Sequence, residues 1–290
     1  MVSPVEADPL ARLLDVPVAS ATSVGGGSIC DARRARLSDG RTIFVKTRAS
    51  APAGFFSSEV NGLERLGAAR QGAAVPRVLA HDDECLVLEW IATGVPSVQA
   101  AERFGRALAA THRHGADRFG SADGDGWIAT LPLPGGPWES WPRMWVQGRI
   151  EPYLRMARKA GAIDKRSAAD VERVIEDIDR LAGPAEPPSM LHGDLWAGNV
   201  LWAEDGTNYL IDPAAHGGHR ETDLAMLALF GLPHLDRVLA AYHEASPLAD
   251  GWRERTALHQ LHPVLVHAVL FGGSYGAQAG QLARLALRGG

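Results

Sequence analysis

The sequence predicts an α+β fold of two lobes. A small antiparallel sheet with one main helix is expected over residues 1–93, and a larger, mainly helical lobe over 94–290. Three observations carry this. The first ninety or so residues alternate apolar and polar positions between turn signals, with one helical stretch among them. The rest is dominated by apolar residues recurring at three and four positions. At 290 residues the chain can also bury two modest cores around a cleft.

Residues 16–23 are β-prone and lead into Gly25-Gly26-Gly27-Ser28. Alternating Ile29 to Leu37, the turn Ser38-Asp39-Gly40 and the run Thr42 to Thr47 follow, which reads as three antiparallel strands. The glycines fit either a flexible hairpin tip or a loop whose backbone N–H groups cover phosphates. No Lys-Ser or Lys-Thr pair follows, and no helix opens there, so neither a P-loop nor a dinucleotide fingerprint is present. A glycine loop between two strands is instead the arrangement of protein kinases, with Lys46 on the third strand as the cation for the phosphates. Read alone, Lys46 is an ordinary exposed strand-end lysine. Phe55 to Arg70 reads as a helix, with Ser57 and Ser58 as candidate caps and Phe56, Val60, Leu63 and Gly67 at helical spacing. Its Glu59 is the expected partner of Lys46, with Glu64 as second choice. Strands are expected at 76–80 and 85–90. The Gly- and Pro-bearing segment 91–96 then connects the lobes, and Glu89, Trp90 and Ile91 are candidate contacts to a nucleotide base.

In the second lobe, Ser97 to His114 reads as a helix capped by Ser97. Residues 115–142 read as a long irregular stretch whose Trp127, Trp138 and Trp141 favour packing over disorder. Helices are expected near 143–160, 164–183, 222–231, 234–245, 252–271 and 277–288. Between them lies Met190 to Asp212, MLHGDLWAGNVLWAEDGTNYLID. Val200-Leu201-Trp202 and Tyr209-Leu210-Ile211, joined by Glu204-Asp205-Gly206-Thr207, form a hairpin signal. Folded back, the hairpin brings Asn199 and Asp212 to one end, a pair of oxygen ligands suited to Mg2+ held against phosphates. Asp194 would then face the group to be phosphorylated. With an ordinary carboxylate pKa of about 3.9, Asp194 is expected to accept the proton late rather than remove it beforehand. Each motif is ambiguous alone. Their order along the chain is that of a bilobal protein-kinase-like fold.

HGDLWAGNVLW followed by DPAAHGGHRETDLAM resembles the fructosamine kinase (ketosamine-3-kinase) family, within the aminoglycoside-phosphotransferase group of kinase-like folds. The likeness extends to GGGSI, WESWPRMWVQGRIEPYL and HPVLVHAVLFGGSYG, so it covers essentially the whole chain. The resemblance implies phosphorylation of a sugar hydroxyl of a ketosamine, a fructosamine or ribulosamine adduct that is free or protein-bound, with ATP and Mg2+ as cofactors. It makes Asp194 the carboxylate of the catalytic loop, Asn199 and Asp212 the metal ligands, and Lys46 with Glu59 the pair that orders the triphosphate. His192 and Asp223 become supports of the catalytic loop, and His219, Arg220 and Glu221 fall on the substrate side. Protein deglycation follows from the likeness alone.

The chain departs from the family's pattern in two places. Ser28 stands where many relatives carry cysteine, and Cys30, two residues on, reads as a small strand residue. Ala215-His216-Gly217 replaces a cysteine and aromatics, which leaves the acceptor open. Two rival readings are an aminoglycoside- or choline-type phosphotransferase and a nucleotide-binding pseudokinase. The Asp-Pro-Ala and Gly-His-Arg-Glu residues weigh against the first. Intact Lys46, Asp194, Asn199 and Asp212 weigh against the second.

A formal charge of −5 gives no basic face for nucleic acid. No apolar run approaches the roughly 18 residues of a membrane span. The N-terminal residues lack a secretory pattern and only Cys30 and Cys85 are present, so a cytoplasmic location is expected. His259, His262 and His267, without nearby cysteines or an acidic pair, are expected in core or surface roles rather than on zinc.

Overall fold

The smaller lobe is an antiparallel sheet of β1 (Val18–Ser23), β2 (Asp31–Leu37), β3 (Thr42–Thr47), β4 (Val78–His81) and β5 (Cys85–Glu89), in the order β1-β2-β3-β5-β4. The computed structural model describes residues 13–25 and 29–289. Gly26, Gly27 and Ser28 of the expected phosphate loop therefore lie outside the described residues.

Strand alternation decides where Lys46 points. On β3, Ile43 and Val45 face the cluster that holds Cys85 and Val87, while Phe44 faces the opposite side with Leu86 and Leu88. With a side-chain period of two, Lys46 must share the face of Phe44. That face is covered by the Phe55–Gly67 helix, through Phe56, Val60 and Leu63. Glu59 lies on the same buried stripe, whereas Glu64 is exposed. The helix starts at Phe55, three residues earlier than a cap at Ser57 would allow. Gly54, in the left-handed region at φ 74°, precedes it and no side chain caps it, which corrects the expected Ser57 or Ser58 cap.

The lobes are joined through the hairpin of β9 (Val200–Trp202) and β10 (Asn208–Leu210). Gly94 N–H donates to Trp202 O (2.6 Å), Glu204 N–H to Ala92 O (3.0 Å) and Leu210 N–H to Ala74 O (2.8 Å). A Cβ on Gly94 would lie 2.9 Å from Glu204 Cα, so only glycine allows this approach. The same hairpin therefore pins the connector and carries Asn199 and Asp212 at its open end.

In the larger lobe, the Val98–His114 helix packs with the Glu221–Phe230 and Leu235–Ala245 helices around Phe104, Leu108, Leu227 and Tyr242. Ser97 caps the first of these as expected, its Oγ accepting from Ala100 N–H at 3.2 Å. A second core lies between residues 141–159 and the Lys165–Glu176, Thr256–Phe271 and Tyr275–Gly289 helices. The run 141–159 is not uniformly α-helical: Trp145–Ile150 is a π-helical turn. The stretch expected to be irregular contains a short hairpin, β6 (Gly126–Ile128) with β7 (Leu131–Leu133). It docks on the small lobe, with the Trp127 ring 6.3 Å from that of Phe55. The pairing of β8 (Ser189–Leu191) with β11 (His216–Gly218) is absent from the sequence reading.

Candidate active site

β8 ends at Leu191 and delivers His192, Gly193 and Asp194 into the cleft between the lobes. Gly193 turns the chain at φ 81°, and a Cβ there would sit 2.2 Å from Ala214 O. His192 is fully buried and uses both ring nitrogens. Nε2–H donates to Ile211 O (2.9 Å), while Nδ1 accepts from Asp194 N–H (3.2 Å). That pattern needs the neutral imidazole, and burial lowers its pKa despite the nearby Asp223 carboxylate. His192 thereby ties Asp194 to the strand leading to Asp212.

Asp223, in the first turn of the Glu221–Phe230 helix, holds the loop from below. Its Oδ2 accepts from His192 N–H (2.7 Å) and its Oδ1 from Gly193 N–H (3.0 Å). His112 Nε2 also reaches Oδ2 at 3.1 Å, and Tyr242 Oη meets His112 Nδ1 at 2.8 Å. Burial alone would raise the carboxyl, but His112, His192 and the backbone donors outweigh it and hold the pKa below the ordinary range.

Asn199, in a short 3-10 turn after Asp194, donates Nδ2–H to Asp194 O (2.8 Å) and Oδ2 (3.2 Å). Its carbonyl Oδ1 meets no protein donor among the described residues. Ile211 N–H donates to Asn199 O at 3.1 Å, so Asp212 follows directly beside it. Asp212 adopts the left-handed region at φ 56°, a conformation aspartate tolerates and functional sites often hold. Its Oδ1 accepts from Lys46 Nζ (2.9 Å), and Lys46 also donates to Glu59 Oε1 (2.9 Å) and Oε2 (2.8 Å). Burial would lower the Lys46 pKa, but the Glu59 and Asp212 carboxylates more than offset it and keep the ammonium charged. The oxygens of Asn199 and Asp212 are hard donors with positions to spare, which fits Mg2+.

Asp194 departs from the expected ordinary acidity. Burial, and then the Asp212 charge, push its pKa up to about 7. Near neutral pH it can accept a proton far more readily than a free carboxylate.

At the connector, Glu89 turns its carboxylate to Arg77, accepting from N–H (2.9 Å) and Nε–H (3.1 Å). The Arg34 guanidinium lies 4.9 Å over the Trp90 ring. These side chains are thus engaged, and the backbone of 89–91 is the part that could meet a base. His219, Arg220 and Glu221 are not brought into contact with Asp194. Arg220 makes a bidentate pair with Glu186 (both 2.7 Å) and reaches Ser246 and Pro247. Glu221 takes Arg255 at 2.9 and 2.5 Å. The buried His219 and His259 rings lie 5.0 Å apart, each against Trp141. His219, Glu221 and His259 place metal-ligating atoms within 4.8 Å of one another. Arg255 already occupies both Glu221 oxygens, however, and balances the charge. Although burial would raise it, His259 and Arg255 together lower the Glu221 pKa to about 2. An internal ion-pair network is the reading that fits, with the side chains of this trio, expected on the substrate side, engaged by partners within the lobe.

Trp196 was missed. Two residues after Asp194, it is 39% exposed, and its ring meets Phe230 at 6.2 Å. Phe230, His267, Phe271 and Tyr275 continue the contact, with ring separations of 5.0–5.5 Å around His267. The only sequence signal was the tryptophan inside HGDLW and the spacing of four between His267, Phe271 and Tyr275.

A bilobal kinase-type fold with this acid, amide and cation arrangement defines the class of small-molecule phosphotransferases. An aminoglycoside phosphotransferase crystallised with ADP and hygromycin B shares the fold, with a TM-score of 0.64 at 16% identity over 97% of both chains. A profile of the fructosamine kinase family matches residues 9–288. A "probable ketoamine kinase" of Synechocystis sp. is 35% identical over 274 residues, covering 92% of this chain and 90% of its own. A crystal structure from Thermobifida fusca, assigned as a fructosamine-3-kinase, superposes with a TM-score of 0.92 at 48% identity over 98% of both chains. The chain belongs to the fructosamine kinase family, and it is a kinase acting on small molecules. No helix among the described residues is long and apolar enough to cross a membrane.

Proposed function

We propose that the protein transfers the γ-phosphoryl group of ATP to a sugar hydroxyl of a ketosamine, a fructosamine or ribulosamine adduct that is free or attached to a protein amine. The observation that carries this reading is the lock between Asn199 and Asp194 facing the Lys46–Glu59–Asp212 cluster. In it, a proton acceptor, oxygen ligands and a fixed cation converge. Asp194 orients the hydroxyl and takes its proton as the oxygen–phosphorus bond forms and the bond to ADP breaks. Lys46, kept charged and aimed by Glu59, holds phosphate oxygens, and the 89–91 backbone meets the base. Gly25, together with Gly26, Gly27 and Ser28 outside the described residues, is assigned to contacts with the phosphates. Asn199 Oδ1 and the Asp212 carboxylate would hold magnesium, which when bound supplies positive charge to the β- and γ-phosphates. The aromatic cluster from Trp196 to Tyr275 offers ring faces to the amine-bearing half of the acceptor, where a cation can rest on a ring.

Asp212→Ala should remove one magnesium oxygen ligand and free Lys46 from its second partner. Calorimetry with and without magnesium is expected to show nucleotide affinity falling at least about tenfold with metal, the loss of roughly one charge-assisted contact. Unchanged magnesium-dependent binding would remove Asp212 from the metal site. The acceptor is tested by ADP release across free and protein-bound ketosamines, an aminoglycoside and choline, with the phosphate mapped on the product. Turnover on an aminoglycoside or choline alone would redirect the reading. ATP binding without turnover on any of these acceptors would make the protein a pseudokinase.

A further inference from the structure

The run 141–159 carries Trp141, Trp145, Arg149 and Tyr153, each four residues from the next and each buried. They face the Thr256–Phe271 helix. Trp141 meets His259 at 4.7 Å, and Tyr153 meets His262 at 5.0 Å. Five buried atoms along these elements lack a hydrogen-bonding partner: Trp141 Nε1, Trp145 Nε1, Arg149 Nε, Arg149 Nη2 and His262 Nε2. His259 Nε2, by contrast, lies 3.3 Å from Glu221 Oε2. Buried polar atoms are almost always satisfied, so this concentration in one seam requires an explanation.

Arg149 is the centre of it. Only 2% exposed, it satisfies Nη1 alone, on Pro134 O (2.9 Å) and Gly148 O (3.0 Å). No carboxylate among the described residues pairs with it. The titratable groups that sense it are His216, His262 and Tyr153, none of which supplies a negative charge. Burial, with a further push from Arg149, lowers the His216 pKa to about 3, and Tyr153 spends its hydroxyl proton on Pro132 O. A guanidinium taken out of water without a counter-charge is strongly penalised. The Trp138 ring lies 5.9 Å from the guanidinium carbon, but a ring face leaves Nε and Nη2 without an acceptor, and water accepting from them would bring no counter-charge. Arg149 also lies within a π-helical turn, a distortion frequent where a helix serves a site.

We propose that this seam is a binding site for a small monovalent inorganic anion of the halide class, seated against Nε and Nη2 of Arg149. Both nitrogens are buried, out of reach of a substrate carboxylate entering from the cleft. Ordered water then completes the indole nitrogens and His262 Nε2. The anion lies behind the strand carrying His216, whose Nδ1 holds Ala214 O (2.8 Å) next to Gly193. Its occupancy therefore bears on the firmness of the catalytic loop from the rear.

The test uses the full chain in sodium methanesulfonate, whose anion is bulkier than a halide, titrated with sodium chloride or bromide at constant ionic strength. Thermal unfolding should show a saturable rise of about 5 °C at roughly a hundredfold excess over Kd. Arg149→Met, which keeps the volume and removes the charge, should lose that rise. Equal halide responses in the two proteins would overturn the proposal. Should the variant fail to fold, bromide-soaked crystals of the unaltered protein decide it. An anomalous peak within hydrogen-bonding distance of the Arg149 guanidinium supports the site, and no peak there refutes it.

Discussion

Asp194→Asn is expected to lower turnover by roughly 10³-fold while leaving nucleotide binding measurable. The amide preserves the shape that meets Asn199 but cannot accept the acceptor's proton. In the parent enzyme the pH profile should carry the same signature. Because the ionised carboxylate is the acceptor, kcat/KM falls as pH drops through the Asp194 pKa, about 7 here from burial and the Asp212 charge. Metal on Asp212 offsets part of that repulsion, so the acid limb of kcat should lie below that of kcat/KM. Stability moves the opposite way. The folded pKa exceeds the unfolded value near 3.9, so the native state binds more protons between the two and loses stability as pH rises through that window. Asp194→Asn, which never ionises, should therefore raise Tm over the parent at pH 8 and match it near pH 4. A pH-independent Tm difference would place the Asp194 carboxyl in a watery, unperturbed setting.

The small lobe was legible because its strands obey a period of two. Lys46 could be placed on a strand, although its face emerged only from which neighbours, Phe44 and Val45, entered which core. Glu59 over Glu64 was likewise a matter of helical phase, and the structure buries one and exposes the other. The Asn199–Asp212 pairing was readable from hairpin length. What escaped were contacts made by short segments or distant chain. β8 and β11 have three residues each, too few for periodicity to register. The His112–Tyr242 support of Asp223 spans more than a hundred residues and has no local pattern. Gly-His-Arg-Glu was read by likeness as lying on the substrate side, yet the partners of those side chains, Glu186, Ser246 and Arg255, come from elsewhere in the lobe. The π-helical turn at Trp145–Ile150 follows from tertiary packing that sequence spacing alone does not reveal.

Asp223→Ala should be among the most damaging single changes in the chain for stability, and it separates support from catalysis. The residue is 1% exposed and satisfies the His192 and Gly193 amides together with His112. Truncation strands these donors where water is scarce, at a cost of about 3–5 kcal/mol. For a chain of this size that corresponds to a Tm lower by about 10 °C. Asp223→Asn keeps the volume but must turn an amide N–H2 toward one of those donors, so it should recover little. A brace whose only role was stability would leave kcat unchanged in the molecules that remain folded. The backbone of His192 and Gly193 sets the direction of Asp194, however, so kcat of Asp223→Ala measured well below its Tm should still drop by about tenfold or more, a 1 Å misplacement being enough for that. Nucleotide affinity, set by Lys46, Glu59 and the connector, should change far less. Equal losses in kcat and in nucleotide affinity would mean that Asp223 holds the whole cleft rather than the catalytic loop.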